Sequence, residues 1–296
     1  MQLIKYKNYF LGFSGALVLV SIICVFIFGL RQGIDLRGGI QWQVSLTDEN
    51  VSESAVHEAL RQVTPDVEVS VKQTGDGDMI LRMPPSAEAS RAGYEDALQK
   101  LGGFSEKSFS NIGPTIGEEL RAKALWAILF VLLGISLYIA YAFRKVSEPV
   151  KSWKYGIVTL VTLFHDVAIP AGLFAVLGSW KGVEVDTNFI VALLVVMGFS
   201  VHDTIVVFDR IRENLMLHRG KRTHLADIIN KSVTETIARS VNTSLTLFLV
   251  LIALLFVGPP TLFYFILTIL IGTIFGTYSS IFVASPLLYL WGRKQA

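Results

Sequence analysis

Six apolar stretches constrain this chain more than anything else in it: Tyr9–Leu30, Ala122–Phe143, Tyr155–Leu177, Thr187–Phe208, Val241–Val257 and Leu262–Ala284. Each is close to the length that a helix needs to cross ~30 Å of hydrocarbon. The 296 residues are 52% hydrophobic and 17% charged, too apolar for a soluble domain of this size. The single cysteine, Cys24, lies inside the first stretch, so no intramolecular disulfide can form. That first stretch follows Lys5 and Lys7, a pattern shared with secretory signals. It is long for a signal core, and Arg31-Gln32 follow it without a small-residue cleavage site, so it reads as an uncleaved first span.

Between the first two spans, residues 31–121 are polar and domain-sized. Ile40, Trp42, Val44 and Leu46 alternate with polar residues, as a half-buried strand does. Asn50 and Glu53 form a capping-box pair ahead of helical spacing over Val51–Val63. Val67–Val71 alternates again, Thr74–Asp78 is a turn, and Met79–Met83 is the return strand before Pro84-Pro85. Ser86–Leu101 reads as a second helix, stopped by Gly102-Gly103, and Phe104–Ile112 as a last strand. The order β-α-β-β-α-β is that of a ferredoxin-like sandwich. His57-Glu58 starts like a zinc-protease motif, but Arg61 stands where the second His belongs, so these are surface helix residues.

The predicted organisation is therefore an α-helical integral membrane protein of six transmembrane helices, with one α+β ferredoxin-like periplasmic domain between helices 1 and 2. Residues 1–30 hold a cytoplasmic N-terminus and the first span, 31–121 the periplasmic domain, and 122–296 the remaining five spans. Lys and Arg cluster at the N-terminus and in the loops after spans two, four and six, which places both termini in the cytoplasm. No single basic patch suggests nucleic acid. In the long loop 209–238, Ile228, Ile229, Val233 and Ile237 recur at helical spacing after Thr223. This predicts an amphipathic helix lying on the membrane surface. Gly272, Gly276, Ser280 and Ala284 recur every four residues in span six, a small-residue stripe that lets another helix approach closely.

Two ionisable pairs interrupt the apolar spans: His165-Asp166 in span three and His202-Asp203 in span four. An Asp in lipid costs ~2.5–3.5 kcal/mol on insertion scales, so such residues face a bundle interior and find partners. Asp203 is expected to work as a proton relay. Span five enters from the same side, with Arg239 near its start. Arg239 has two readings: it pairs with Asp203, or it snorkels to the interface. A movement that paired and separated the two would bind and release a proton. Ser200 and Thr204 share the face of Asp203. His202 points about 100° away from Asp203, either as a titrating shuttle or as a polar packing residue. Asp166 faces span four, as a carrier or as a helix–helix hydrogen-bonding group, with His165 and Asn242 as supporting polar residues. Pro170 leaves the Asp166 carbonyl without its helical donor and should bend the helix there.

With those residues on the page, a resemblance can be stated. Gly198–Asn214, reading GFSVHDTIVVFDRIREN, resembles the signature of the SecF family in the SecD/SecF branch of the RND superfamily. Gly33–Gly39, Gly113–Gly117, Leu163–Val167 and Thr234–Ser240 resemble other segments of that family, so the likeness covers nearly the whole chain. It implies an RND-type half, proton transport by Asp203 and Arg239, and no cofactor or metal. It implies a SecD partner forming the other half, association with the SecYEG translocon and accessory membrane subunits, and contact with unfolded preprotein. It implies the inner membrane as location. The family usually has Asn at the place of His202 and Phe-Thr at the place of Leu36-Arg37. Two other functions fit parts of the sequence. One is an RND-type exporter of small molecules or lipids, which would need a substrate cavity in its external domain. The other is an intramembrane metal hydrolase using His165, Asp166, His202 and Asp203, although adjacent His and Asp diverge on a helix.

Overall fold

The computed structural model describes residues 2–48, 51–73, 77–144, 150–218 and 223–293. The chain forms two compact units, one of Met1–Arg31 with Trp126–Ala296 and one of Gln32–Leu125. After a 3-10 turn at Leu3–Tyr6, α1 runs over Lys7–Phe28. The smaller unit follows: α2 (Ile34–Arg37), β1 (Gly39–Leu46), α3 (Glu53–Val63), β2 (Ser70–Gln73), β3 (Met79–Met83), α4 (Arg91–Lys100) and β4 (Phe104–Ile112). Then come α5 (Pro114–Ala142), α6 (Ser152–Lys181), α7 (Thr187–Leu217), α8 (Leu225–Val257) and α9 (Phe263–Ser279). A π-helical turn at Ser280–Ala284 leads into α10 (Ser285–Arg293).

In the smaller unit the sheet order is β2-β3-β1-β4, every pair antiparallel. This is the ferredoxin-like arrangement that the element order predicts. Trp42, Val44, Leu81, Val56, Leu60, Tyr94 and Leu98 make its core. The Trp42 Nε1–H donates to Glu106 Oε2 at 2.9 Å, so the indole's one polar atom is satisfied. The expected cap Asn50 lies outside the described residues; the Ser52 Oγ caps α3 by accepting from the Ala55 amide. The turn expected at Thr74–Asp78 also lies mostly outside them. The helix expected over Ser86–Leu101 begins as a 3-10 turn at Pro85–Ser90. Gly38 has φ +82°, and a Cβ on Gly117 would stand 2.4 Å from the Gly38 amide nitrogen. The two glycine motifs at 33–39 and 113–117 are therefore packed against each other, backbone on backbone.

Among the described residues, six helices are long and apolar enough to cross a membrane: Leu3–Phe28, Pro114–Ala142, Ser152–Lys181, Thr187–Leu217, Leu225–Val257 and Pro260–Gly292. The chain is a multi-pass membrane protein. Within the larger unit, α6, α7 and α9 are the most buried, and α1 and α5 remain mostly exposed. A Cβ on Gly172 would stand 2.5 Å from the Ser21 Cα, and one on Gly156 would stand 2.6 Å from the Ser136 carbonyl. Glycine thus sets how closely α1 and α5 approach α6. Along α9, Gly272 lies against Val196 and Gly276 against Ser200, both on α7.

Two boundaries differ from expectation. Residues 209–238 do not form a separate surface helix. Here α7 continues to Leu217, and α8 is one helix from Leu225 to Val257. The apolar positions Ile228, Ile229 and Val233 are spent against Val207, Phe208 and Ile211. Polar bonds tie the two extensions: Arg210 Nε donates to Glu235 at 2.7 Å, and Asn214 Nδ2 donates to Ser232 Oγ at 2.9 Å. Span six runs past its expected end at Ala284. The π turn shifts the hydrogen-bond register, and Pro286 falls in the first turn of α10, where its missing N–H costs nothing. The third expected span is one helix, α6, with Pro170 inside it.

Candidate functional site: two buried carboxylates

Asp166 and Asp203 are both buried in the larger unit, at 0% and 1% exposure. Their settings differ. Asp166 is held by donors from three helices. On α6 itself, His165 Nδ1 lies 2.8 Å from Asp166 Oδ1. From α7 the Ser200 hydroxyl donates to Oδ2, and from α9 the Ser279 hydroxyl donates to the same oxygen at 2.8 Å. Adjacent His and Asp side chains do meet here, contrary to the expected divergence. The His165 ring lies between Phe275 and Tyr278, each 6.4 Å away by centroids. Its Nε2 is buried and, among the described residues, has no hydrogen-bond partner.

Asp203 is held more lightly. The Ser244 Oγ on α8 is 3.4 Å from Asp203 Oδ2. That hydroxyl also lies 2.8 Å from the Ser240 carbonyl and 2.5 Å from the Thr277 Oγ1 of α9. A hydroxyl has one proton to give, so Asp203, Ser240 and Thr277 compete for it. On the same face of α7, Ser200 and Thr204 are fully buried. The Thr204 Oγ1 donates to the Ser200 carbonyl at 3.0 Å and so bonds its own helix rather than Asp203.

His202 is exposed on the opposite face of α7, in line with Val191, Val195 and Gly198. Arg239 and Asn242 are exposed on α8, and Asp203 meets Ser244 where Arg239 was expected. The expected relay residues are therefore split into two groups. Asp166 and Asp203 lie inside with hydroxyl partners, while His202 and Arg239 lie on uncovered helix faces. Among the described residues, no three His, Cys, Asp or Glu side chains converge as a metal site would require. The four ligands of the hydrolase reading do not come together. Gly272, Gly276 and Ser280 are buried along α9 and its π turn. Sequence reasoning missed Ser279, Ser244, Thr277 and Tyr278. Their only signal was a run of hydroxyls inside apolar spans.

The family described as "Protein export membrane protein SecD/SecF, C-terminal" matches residues 93–294. The "Protein translocase subunit SecF" of Thermobaculum terrenum is 40% identical over all of this chain and 95% of its own length. That of Sebaldella termitidis is 36% identical over 99% of this chain and 92% of its own. Among solved structures, SecDF of Thermus thermophilus, described as a translocon-associated membrane protein, superposes with a TM-score of 0.84 at 32% identity. The match covers 98% of this chain and 38% of that longer one. SecDF in a super-membrane-facing form gives a TM-score of 0.71, also at 32% identity.

Proposed function

The chain belongs to the SecD/SecF family of protein-export membrane proteins, and from that premise we propose that it uses the proton-motive force, together with a SecD half, to promote protein export. It is then an auxiliary translocase subunit rather than an enzyme. Its partners are SecD, the SecYEG translocon with its accessory membrane subunits, and the unfolded preprotein. It sits in the cytoplasmic membrane with both termini inside and the sheet domain outside, as the Lys and Arg distribution suggests.

The observation that carries this reading is Asp203: a buried carboxyl group in mid-bundle, reached by the Ser244 hydroxyl at 3.4 Å and by Thr277, two hydroxyls that also bond each other. A group held so lightly is able to exchange partners. Ser244 and Arg239 lie five residues apart on α8, on different faces. Rotation or sliding of α8 against α7 exchanges Ser244 for Arg239 beside Asp203. In this scheme proton binding at Asp203 favours the Ser244 arrangement, and Arg239 engages the ionised group. Each charge crossing a potential of 100 mV releases ~2.3 kcal/mol, enough to bias two packings that differ by that much. Asp166, with His165, Ser200 and Ser279, is the second relay member. His202 and Asn242 belong to faces that the partner half covers.

Proton-gradient-dependent export by Asp203→Asn, co-expressed with its partner half in inverted vesicles, tests this. The proton-dependent component should disappear while the two halves still co-purify. Normal export by that variant excludes the motor.

A further inference from the structure

His165 is 3% exposed, yet one of its two ring nitrogens does nothing visible. Nδ1 meets Asp166 Oδ1 at 2.8 Å, and Nε2 is buried without a partner. Holding Asp166 in place needs Nδ1 alone, so that role leaves the second ring nitrogen, buried and unbonded, unexplained. Asp166 Oδ2 already accepts from Ser200 and Ser279. The carboxylate is thus surrounded by donors, and Nδ1 is assigned as N–H by that network. Within the cluster, Nε2 is the ring nitrogen that no hydrogen bond occupies, so it can take a proton while every existing bond stays in place.

We propose that His165 is the residue through which Asp166 receives its proton. The incoming proton bonds to Nε2 while the Nδ1 proton passes to Asp166 Oδ1. The donor, a hydrated proton, gives up one O–H bond as Nε2–H forms, and the Nδ1–H bond breaks as the Asp166 Oδ1–H bond forms. The histidine is neutral before and after, in opposite tautomers, and Asp166 goes from carboxylate to acid. The Nδ1···Oδ1 bond survives with its direction reversed, so every heavy atom can keep its place. That is the property needed by a relay in a packed core, where polar groups cannot reorganise cheaply.

The neighbours are compatible with this. From α9 come Phe275 and Tyr278, and from α7 comes Ser200. Tyr278 donates to the Phe10 carbonyl of α1 and accepts from Ser14, both at 3.4 Å. The ionisable groups facing His165 are thus Asp166 and the Tyr278 phenol. Asp203 lies one turn along α7 from Ser200. Among the described residues, Asp166 pairs with His165, and no Lys or Arg joins them.

The inference rests on the proton-motor reading and assigns a histidine other than His202 to it. Its test uses the full chain with its partner half in membranes. His165→Asn keeps a donor near the Nδ1 position and removes Nε2. It should assemble normally, lose proton-dependent export by roughly a hundredfold or more, and lose an infrared protonated-carboxyl band that wild type gains on acidification. The band must also vanish in Asp166→Asn. Wild-type export with an unchanged pH profile in His165→Asn overturns the proposal, as does persistence of the band. Should that variant fail to assemble, 15N-histidine spectra of the wild-type complex decide. A switch from Nδ1–H to Nε2–H on acidification supports the relay, and a fixed tautomer overturns it. If Asp203→Asn is inactive and His165→Asn is not, only this assignment falls; if both export normally, the motor falls too.

Discussion

Asp166 and Asp203 show how two carboxyl groups on neighbouring helices acquire different properties from their donors. Asp166 has donors from three side chains at 2.8 Å or less, whereas Asp203 has the Ser244 and Thr277 hydroxyls, which also bond each other. Removing a donor should therefore matter at the first and hardly at the second. Ser279→Ala strips a 2.8 Å bond from a fully buried carboxylate and should cost about 1–3 kcal/mol. Ser244→Ala removes a hydroxyl that lies 3.4 Å from Asp203 but 2.8 and 2.5 Å from Ser240 and Thr277, so the loss falls chiefly on neutral partners and should change stability by less. Thermal unfolding of the purified chain in mild detergent checks both; equal losses would contradict the asymmetry. The carboxylates were legible in the sequence because a charge inside an apolar run stands out. Their partners were not, because most Ser and Thr hydroxyls in helices bond their own backbone. Thr277 does so to the Thr273 carbonyl at 2.8 Å. Nothing in the spacing says which hydroxyl will reach across, and nothing says that Arg239 will point outward.

At the scale of helices, the apolar runs located every span, but their ends were misplaced wherever charged residues continue a helix. Here α7 and α8 extend past their apolar stretches because Arg210, Asn214, Ser232 and Glu235 join them side to side. Such pairs are invisible to a hydropathy reading, which sees only where the apolar run stops. The small-residue stripe was legible, and the reason lies in the fit of α9 on α7. A Cβ on Gly272 would come within 2.2 Å of Val196 Cγ2. No rotamer of Val196 removes that overlap, since its Cγ1 and Cβ would also stand at 2.5 and 2.9 Å. Gly272→Ala should thus force the helices apart and cost about 1–3 kcal/mol. Gly198→Ala, where a Cβ would meet nothing, should be neutral or slightly stabilising as a helix substitution. Melting curves of the two variants side by side measure the contrast, and a Gly272→Ala as stable as wild type would mean that α7 and α9 pack more loosely than described.

For the molecule as a whole, the sequence pattern separated a sheet domain from a helix bundle, and each has its own hydrophobic core. What one chain's sequence pattern could not reveal is which bundle faces are left for another protein. Along α7, Val191, Val195, Gly198 and His202 recur at spacings of three and four and are all exposed. An apolar stripe that carries a histidine and a bare glycine is poorly explained by lipid alone. Glycine contributes no apolar area to lipid but permits close helix approach, and an imidazole seeks a polar partner. The match to 38% of a longer SecDF chain leaves room for a second half. If the partner half covers this stripe, a cysteine at Gly198 in a Cys24→Ala background should form a disulfide with a cysteine on the partner's facing helix. The bond should appear within minutes of mild oxidation in native membranes. A control cysteine at Leu137, exposed on α5, should remain monomeric. The bond at Gly198 should also report on motion. If α7 moves as Asp203 exchanges its proton, cross-linking efficiency should change when the proton gradient is collapsed, and Asp203→Asn should abolish that change. Equal cross-linking from Gly198 and Leu137 would place the partner elsewhere.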